Sequence, residues 1–156
     1  MILLRTRPQP SLDAGDFMKW SAGDFMKWSE EYVTGINRID DHHKALFEMS
    51  EVFRDALSER RGERVYGLFL KSLRAYACAH IGFEEGCMER CQCPAAQQNT
   101  QAHTKFLQGL SLFEERYTMV GFERAGAYRV VDFVDQWLAD HICRIDTQLK
   151  PYAQGL

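Results

Sequence analysis

Five histidines occur in these 156 residues, and four of them, His43, His80, His103 and His141, fall on the apolar seams of four separate helix-period segments. Glu84 lies one turn beyond His80 and Asp146 follows His141, so two of the four seams also carry a carboxylate. Inward-pointing imidazoles and carboxylates from four helices read as a pair of metal ions at the centre of a bundle. A lone histidine on an apolar face is ordinarily a core residue with one hydrogen bond, but four convergent cases point to ligation. Glu84 adds weight, because an unpaired carboxylate in a bundle core costs on the order of several kcal/mol unless a cation or partner compensates it. No lysine or arginine shares the seams, so the cation has to come from outside.

The spacings support a common site. His80 and Glu84 are spaced i, i+4, as are Asn99 and His103, and each pair therefore lies on one helix face about a turn apart. His141 and Asp146 are five residues apart, roughly 140° around an ideal helix, so this pair needs side-chain reach or a local adjustment of the backbone. His42 stands one residue off the first seam and is expected to be an outer or solvent-facing neighbour of His43. A set rich in imidazole with two carboxylates suits iron, zinc or copper over magnesium or calcium, which prefer all-oxygen shells. A ferritin-like oxidase would show Glu-x-x-His motifs on two helices and further glutamates on the seams; neither is present on the stripes of this chain.

Four helices must position these residues. Ile36, Ile39, His43, Leu46, Ser50, Phe53 and Leu57 step by three and four, and the charged run from Ser58 to Arg64 closes that helix as a solvated turn. The second stripe is Tyr66, Leu70, Leu73, Ala77, His80, Glu84, Cys87 and Cys91, expected to end before Pro94. Asn99, His103, Phe106, Leu110, Phe113 and Tyr117 form the third, ahead of Gly121. Val131, Val134, Leu138, His141, Ile145 and Leu149 form the fourth, expected to stop at Pro151. Short connections predict an all-α, antiparallel up-down-up-down four-helix bundle. The segment AGDFMKWS occurs twice in tandem, at residues 14–21 and 22–29, a period too short for a solenoid. The expected organisation is an N-terminal extension over 1–23 and a bundle domain over 24–156, with the first repeat copy loosely attached.

Composition limits the function classes. Lys and Arg total 19 against 22 for Asp and Glu, a net charge of −3 with no basic stripe, which argues against nucleic acid and anionic membranes as partners. Nothing resembles a signal-peptide core or an 18-residue apolar span, and a cytoplasmic setting is expected. Five cysteines, an odd number, predict reduced thiols rather than a disulfide framework. Cys87 and Cys91 continue an apolar stripe and, with Cys93, are read as packing residues ahead of a redox or metal cluster.

The residues Trp28, Tyr32-Val33-Thr34-Gly35-Ile36, Ile39-Asp40-Asp41-His42-His43-Lys44, His80-x-x-x-Glu84-Glu85, Cys93-Pro94 and Trp137-Leu138-x-x-His141-Ile142-x-x-x-Asp146 resemble bacterial hemerythrin in order and spacing, from about Met26 to near Pro151. The resemblance implies a non-haem di-iron centre with an oxo or hydroxo bridge that binds molecular oxygen reversibly. It makes His43 and His80 ligands of the iron with an open position, His103 and His141 ligands of the second iron, and Glu84 and Asp146 the bridging carboxylates. Ile81, Trp137 and Leu138 match positions that wall the oxygen pocket. One position departs from the family pattern, which has His-x-x-x-His on the third helix where this chain has Asn99-x-x-x-His103. Asn99 could ligate through its carbonyl oxygen, hold a coordinating water, or point away. The glutamine usual before the first histidine is here His42, a possible compensating ligand. The functions to separate are oxygen storage, delivery or sensing; a di-iron enzyme acting on peroxide or nitric oxide through an iron left open by Asn99; and a sensory or structural bundle stabilised by one zinc or by no metal.

Overall fold

The computed structural model describes residues 26–156. The first repeat copy and the expected boundary between residues 23 and 24 lie outside the described residues. Four α-helices follow one another: α1 (Asn37–Ser58), α2 (Gly62–Arg90), α3 (Ala96–Val120) and α4 (Arg124–Arg144). Each packs on its chain neighbours, and α4 closes the ring against α1, which makes the bundle expected from the four stripes. Short 3-10 segments lie at Glu30–Tyr32 and Asp146–Gly155.

The helix ends are set by backbone geometry. Arg60 and Gln92 adopt the left-handed conformation, at φ 60° and 52°. The next amide in each case reaches back five residues, Arg61 N–H to Ala56 O at 2.8 Å and Cys93 N–H to Met88 O at 2.9 Å, and this pattern satisfies the last carbonyls of α1 and α2. Thus α2 stops at Arg90, slightly earlier than its apolar stripe suggests, and Pro94 lies in the turn. At the start of α1 the Asp40 carboxylate accepts the Thr34 amide and hydroxyl, both at 2.8 Å, and the Gly35 amide at 3.3 Å. Gly35 has φ 86°, and a Cβ there would meet Ala153 at 3.0 Å, so the glycine allows the C-terminal segment to lie close. Ahead of this turn, Tyr32 stacks on Phe47 at 5.3 Å, Lys44 lies over the Trp28 ring at 4.5 Å, and Lys27 pairs with Glu51 at 2.9 Å.

The core is layered. A large apolar cluster includes Leu57, Leu73, Leu110, Val130 and Leu138. A smaller one at the other end gathers Ile36, Ile39, Cys87, Met88, Ile145 and Leu149. Along every helix the candidate ligands fall between these clusters: His43 between Ile39 and Leu46, His80 and Glu84 between Ala77 and Cys87, His103 next to Phe106, and His141 between Leu138 and Ile145. The apolar layers exclude water from a polar one.

Candidate metal centre

The structure brings all seven expected metal residues into this layer, each almost wholly withdrawn from solvent. His43, His80, Glu84 and Asp146 place one ligand atom each within 4.8 Å of one another, and Glu84, His103 and His141 do the same. Glu84 is common to both groups. Its Oε2 lies 3.4 Å from His43 Nε2 and 3.5 Å from His80 Nε2, while Oε1 lies 3.3 Å from His103 Nε2. Asp146 reaches across in the same way, Oδ1 at 3.0 Å from His141 Nε2 and Oδ2 at 3.2 Å from His43 Nε2.

The five-residue gap between His141 and Asp146 is resolved by the backbone. The fourth helix does not run on to Pro151 as its periodicity suggested; the α geometry ends at Arg144, and Ile145 takes φ −116°, ψ −59°. The tighter 3-10 segment begins at Asp146, with Gln148 N–H bonded to Ile145 O at 3.0 Å. This break turns the Asp146 carboxylate onto the ligand face. Pro151 sits inside the 3-10 segment, whose φ its ring can supply.

The four imidazoles meet in pairs, His43 with His80 at 3.2 Å and His103 with His141 at 3.1 Å, yet several oxygens of the layer are left without a partner. Glu84 Oε2, both Asp146 oxygens and Asn99 Oδ1 are buried with no hydrogen-bond partner of acceptable geometry, a rarity for polar atoms in a native interior. Nitrogen and oxygen donors that converge at 3.0–3.5 Å but are not aimed at each other fit a shared cation, and an imidazole–carboxylate donor set fits a transition metal.

Electrostatics agrees. Burial alone would depress His43, but the adjacent Asp146 and Glu84 outweigh it and raise the imidazole to about 9. Burial lowers His80 to about 3, with Glu84 and Asp146 opposing the shift and His43 and His103 adding to it. Glu84 would be raised by burial, yet His103 and His43 hold it well below the usual carboxylate range. In the metal-free chain the two carboxylates therefore favour a proton on His43.

Asn99 faces the site. It is fully buried, and its Nδ2 donates to Glu84 Oε1 at 3.0 Å, which removes the alternative that it points away. His42 is half-buried behind His80, Nδ1 to Nδ1 at 3.3 Å, so it lies outside the ligand layer as its off-seam position suggested. Glu85, which the sequence shows only as the neighbour of Glu84 in the second-helix motif, also reaches the site: Oε1 lies 2.9 Å from His103 Nδ1. No local spacing marks that contact, since it crosses from α2 to α3. Trp137 stacks on His141 at 4.2 Å and lies 6.0 Å from His103; Leu138 is buried beside it, and Ile81 is half-buried next to His80.

Fold and site together define a helical-bundle protein with a buried histidine and carboxylate cation centre. Residues 34–153 match the model of the hemerythrin HHE cation binding domain, and the chain belongs to the hemerythrin family. Among similar proteins are the bacteriohemerythrins of Pseudomonas paraeruginosa and Pseudomonas aeruginosa, each 28% identical over 112 residues that cover 70% of this chain and 69% of the relative. No helix among the described residues is long and apolar enough to cross a membrane.

Proposed function

We propose that this chain is a non-haem di-iron protein that binds oxygen reversibly, for storage, delivery or sensing. The observation that carries the reading is the pair of ligand groups joined through Glu84, all buried, with orphaned carboxylate oxygens between them. His43 and His80 would hold one iron and His103 and His141 the other, with Glu84 and Asp146 shared. Iron held there supplies reversible oxygen binding when one ion keeps an open position. Trp137 and Leu138 exclude water from the histidine layer, Trp137 by covering His141 and Leu138 by sealing the adjoining apolar cluster; Ile81 is assigned the wall next to His80. The cysteines of the described residues are all unpaired, which goes with the reducing cytoplasm we propose as its setting.

Asn99 favours a second reading. With an amide at the position of a third imidazole, the His103 group holds fewer donors than the His43 group, and an open position there would admit peroxide or nitric oxide for turnover. Anaerobic loading with ferrous iron, metal counting, and visible spectra on cycling oxygen separate the readings. The expected result is two irons per chain with bands that reverse on deoxygenation. Steady peroxide or nitric oxide consumption lost in His80→Ala makes it an enzyme; tight uptake of zinc with no uptake of iron refutes both.

A further inference from the structure

His42 has two ring nitrogens, and one of them faces a metal-layer histidine. His42 Nδ1 and His80 Nδ1 are 3.3 Å apart, with the rings edge to face at 5.4 Å and 86°. Two facing ring nitrogens can share only one proton, so one ring donates and the other accepts. His80 turns its opposite nitrogen, Nε2, towards His43 Nε2 at 3.2 Å and Glu84 Oε2 at 3.5 Å. For a neutral His80 to offer a bare Nε2 to a cation, its proton must sit on Nδ1. His80 Nδ1–H then donates to His42 Nδ1, and a neutral His42 must carry its own proton on Nε2. With Nε2 kept bare in this way, the contact sets the tautomer of both rings.

The His42 ring is itself held. Tyr76 and Phe83 meet it edge-on at 5.8 and 5.7 Å, and Arg38 lies over the Phe83 ring at 4.1 Å. His103, the candidate ligand on α3, has a different outer partner, the Glu85 carboxylate at its Nδ1. Outer partners of metal-bound histidines orient the ring and tune its donor strength, and losing one typically weakens metal binding by about 10–100-fold.

We propose that His42 is a positioning residue for the metal centre, accepting the Nδ1 proton of His80 so that Nε2 is presented to the ion. The residue acts through His80 and does not touch the metal. This rests on the reading of the buried layer as a metal site, but part of its test needs no metal. Long-range proton–nitrogen correlation spectra of the metal-free chain report the His80 tautomer; the Nδ1-protonated form is expected in the native chain and in His42→Gln, whose amide oxygen can accept the same bond. His42→Phe, which keeps an aromatic ring among Tyr76 and Phe83, is expected to lose that preference. Titration with cobalt(II) against a chelator should then show about 10–100-fold weaker binding of one ion in His42→Phe and near-native binding in His42→Gln.

An unchanged His80 tautomer in His42→Phe overturns the proposal even if the variant melts earlier. Native cobalt affinity in His42→Phe overturns it as well. Loss of one imidazole from the cobalt shell in His42→Phe, by X-ray absorption, would make His42 a direct ligand and overturn it too. A native chain that takes up no metal defeats the functional reading, whereas the tautomer result still decides the role of His42.

Discussion

The half of the bundle around Leu57, Leu73, Leu110 and Val130 and the layer around Glu84 are buried to the same degree and built on the same helices, yet they are held by different forces. In the first, burial is its own reward, because each apolar side chain leaves water at a gain of about 1.5–3 kcal/mol. In the second, His43, Glu84, Asn99 and Asp146 are equally withdrawn from solvent, but their burial is a cost until donors and acceptors are matched. Equal burial is therefore no measure of equal stabilisation. The apolar half makes a bundle in which the polar layer can exist, and a cation held there would make that layer favourable.

The comparison breaks first at Glu84. Because both ligand groups use it, Glu84→Leu should end uptake of both ions, and metal analysis of the purified variant should find less than one ion per chain. The native chain should lose on the order of 4 kcal/mol for each ion when free metal at about a thousand times its dissociation constant is stripped by chelator. In Glu84→Leu that melting difference should vanish. A native chain that melts identically with and without chelator would refute a buried metal site.

Leu73→Ala, in the apolar half, is the converse. It should cost about 2–5 kcal/mol in denaturant titration through lost burial and a residual cavity, while the folded fraction binds metal with native stoichiometry. Loss of metal at native stability would mean that the two halves are not separable.

Smaller effects sharpen the picture within the polar layer. Asn99→His replaces a neutral amide, a poor ligand, with an imidazole; about tenfold tighter binding at the His103 site is expected, together with slower decay of the oxygen adduct and less peroxide consumption. No change in any of the three would assign Asn99 to orienting Glu84 alone. Proton competition gives a pH signature. His43 sits near 9 in the metal-free chain, so below that pH an incoming ion must displace its proton. Affinity should rise with pH up to about 9, by at most about tenfold per unit, with proton release visible in an indicator dye. In the stripped chain the sign is opposite: the stability contributed by this imidazolium is fully present below 6.5 and is lost as pH rises through about 9.

The smallest effect is expected at the N-terminus. Met26 and Trp28 of the second repeat copy pack on the large apolar cluster. Deleting residues 1–21 should change melting by less than about 0.5 kcal/mol and leave metal content intact. A larger loss would show that the extension contributes to the bundle.

Periodicity and spacing alone determined the four helices, the four inward histidines, and the pairing of His80 with Glu84 and of Asn99 with His103, because one-turn spacing is a local property that tertiary packing leaves unchanged. Helix ends were less legible: the left-handed Gln92 carries no glycine signal, and no glycine or proline marks the break after Arg144. That break is what turns Asp146 inward, so the spacing that looked unfavourable in sequence is favourable in the fold. Contacts between helices lay beyond the sequence. The joining of two ligand groups through Glu84, the approach of Asn99 to Glu84, and the outer partners His42 and Glu85 all depend on which faces of α1, α2 and α3 meet, and no residue states that on its own.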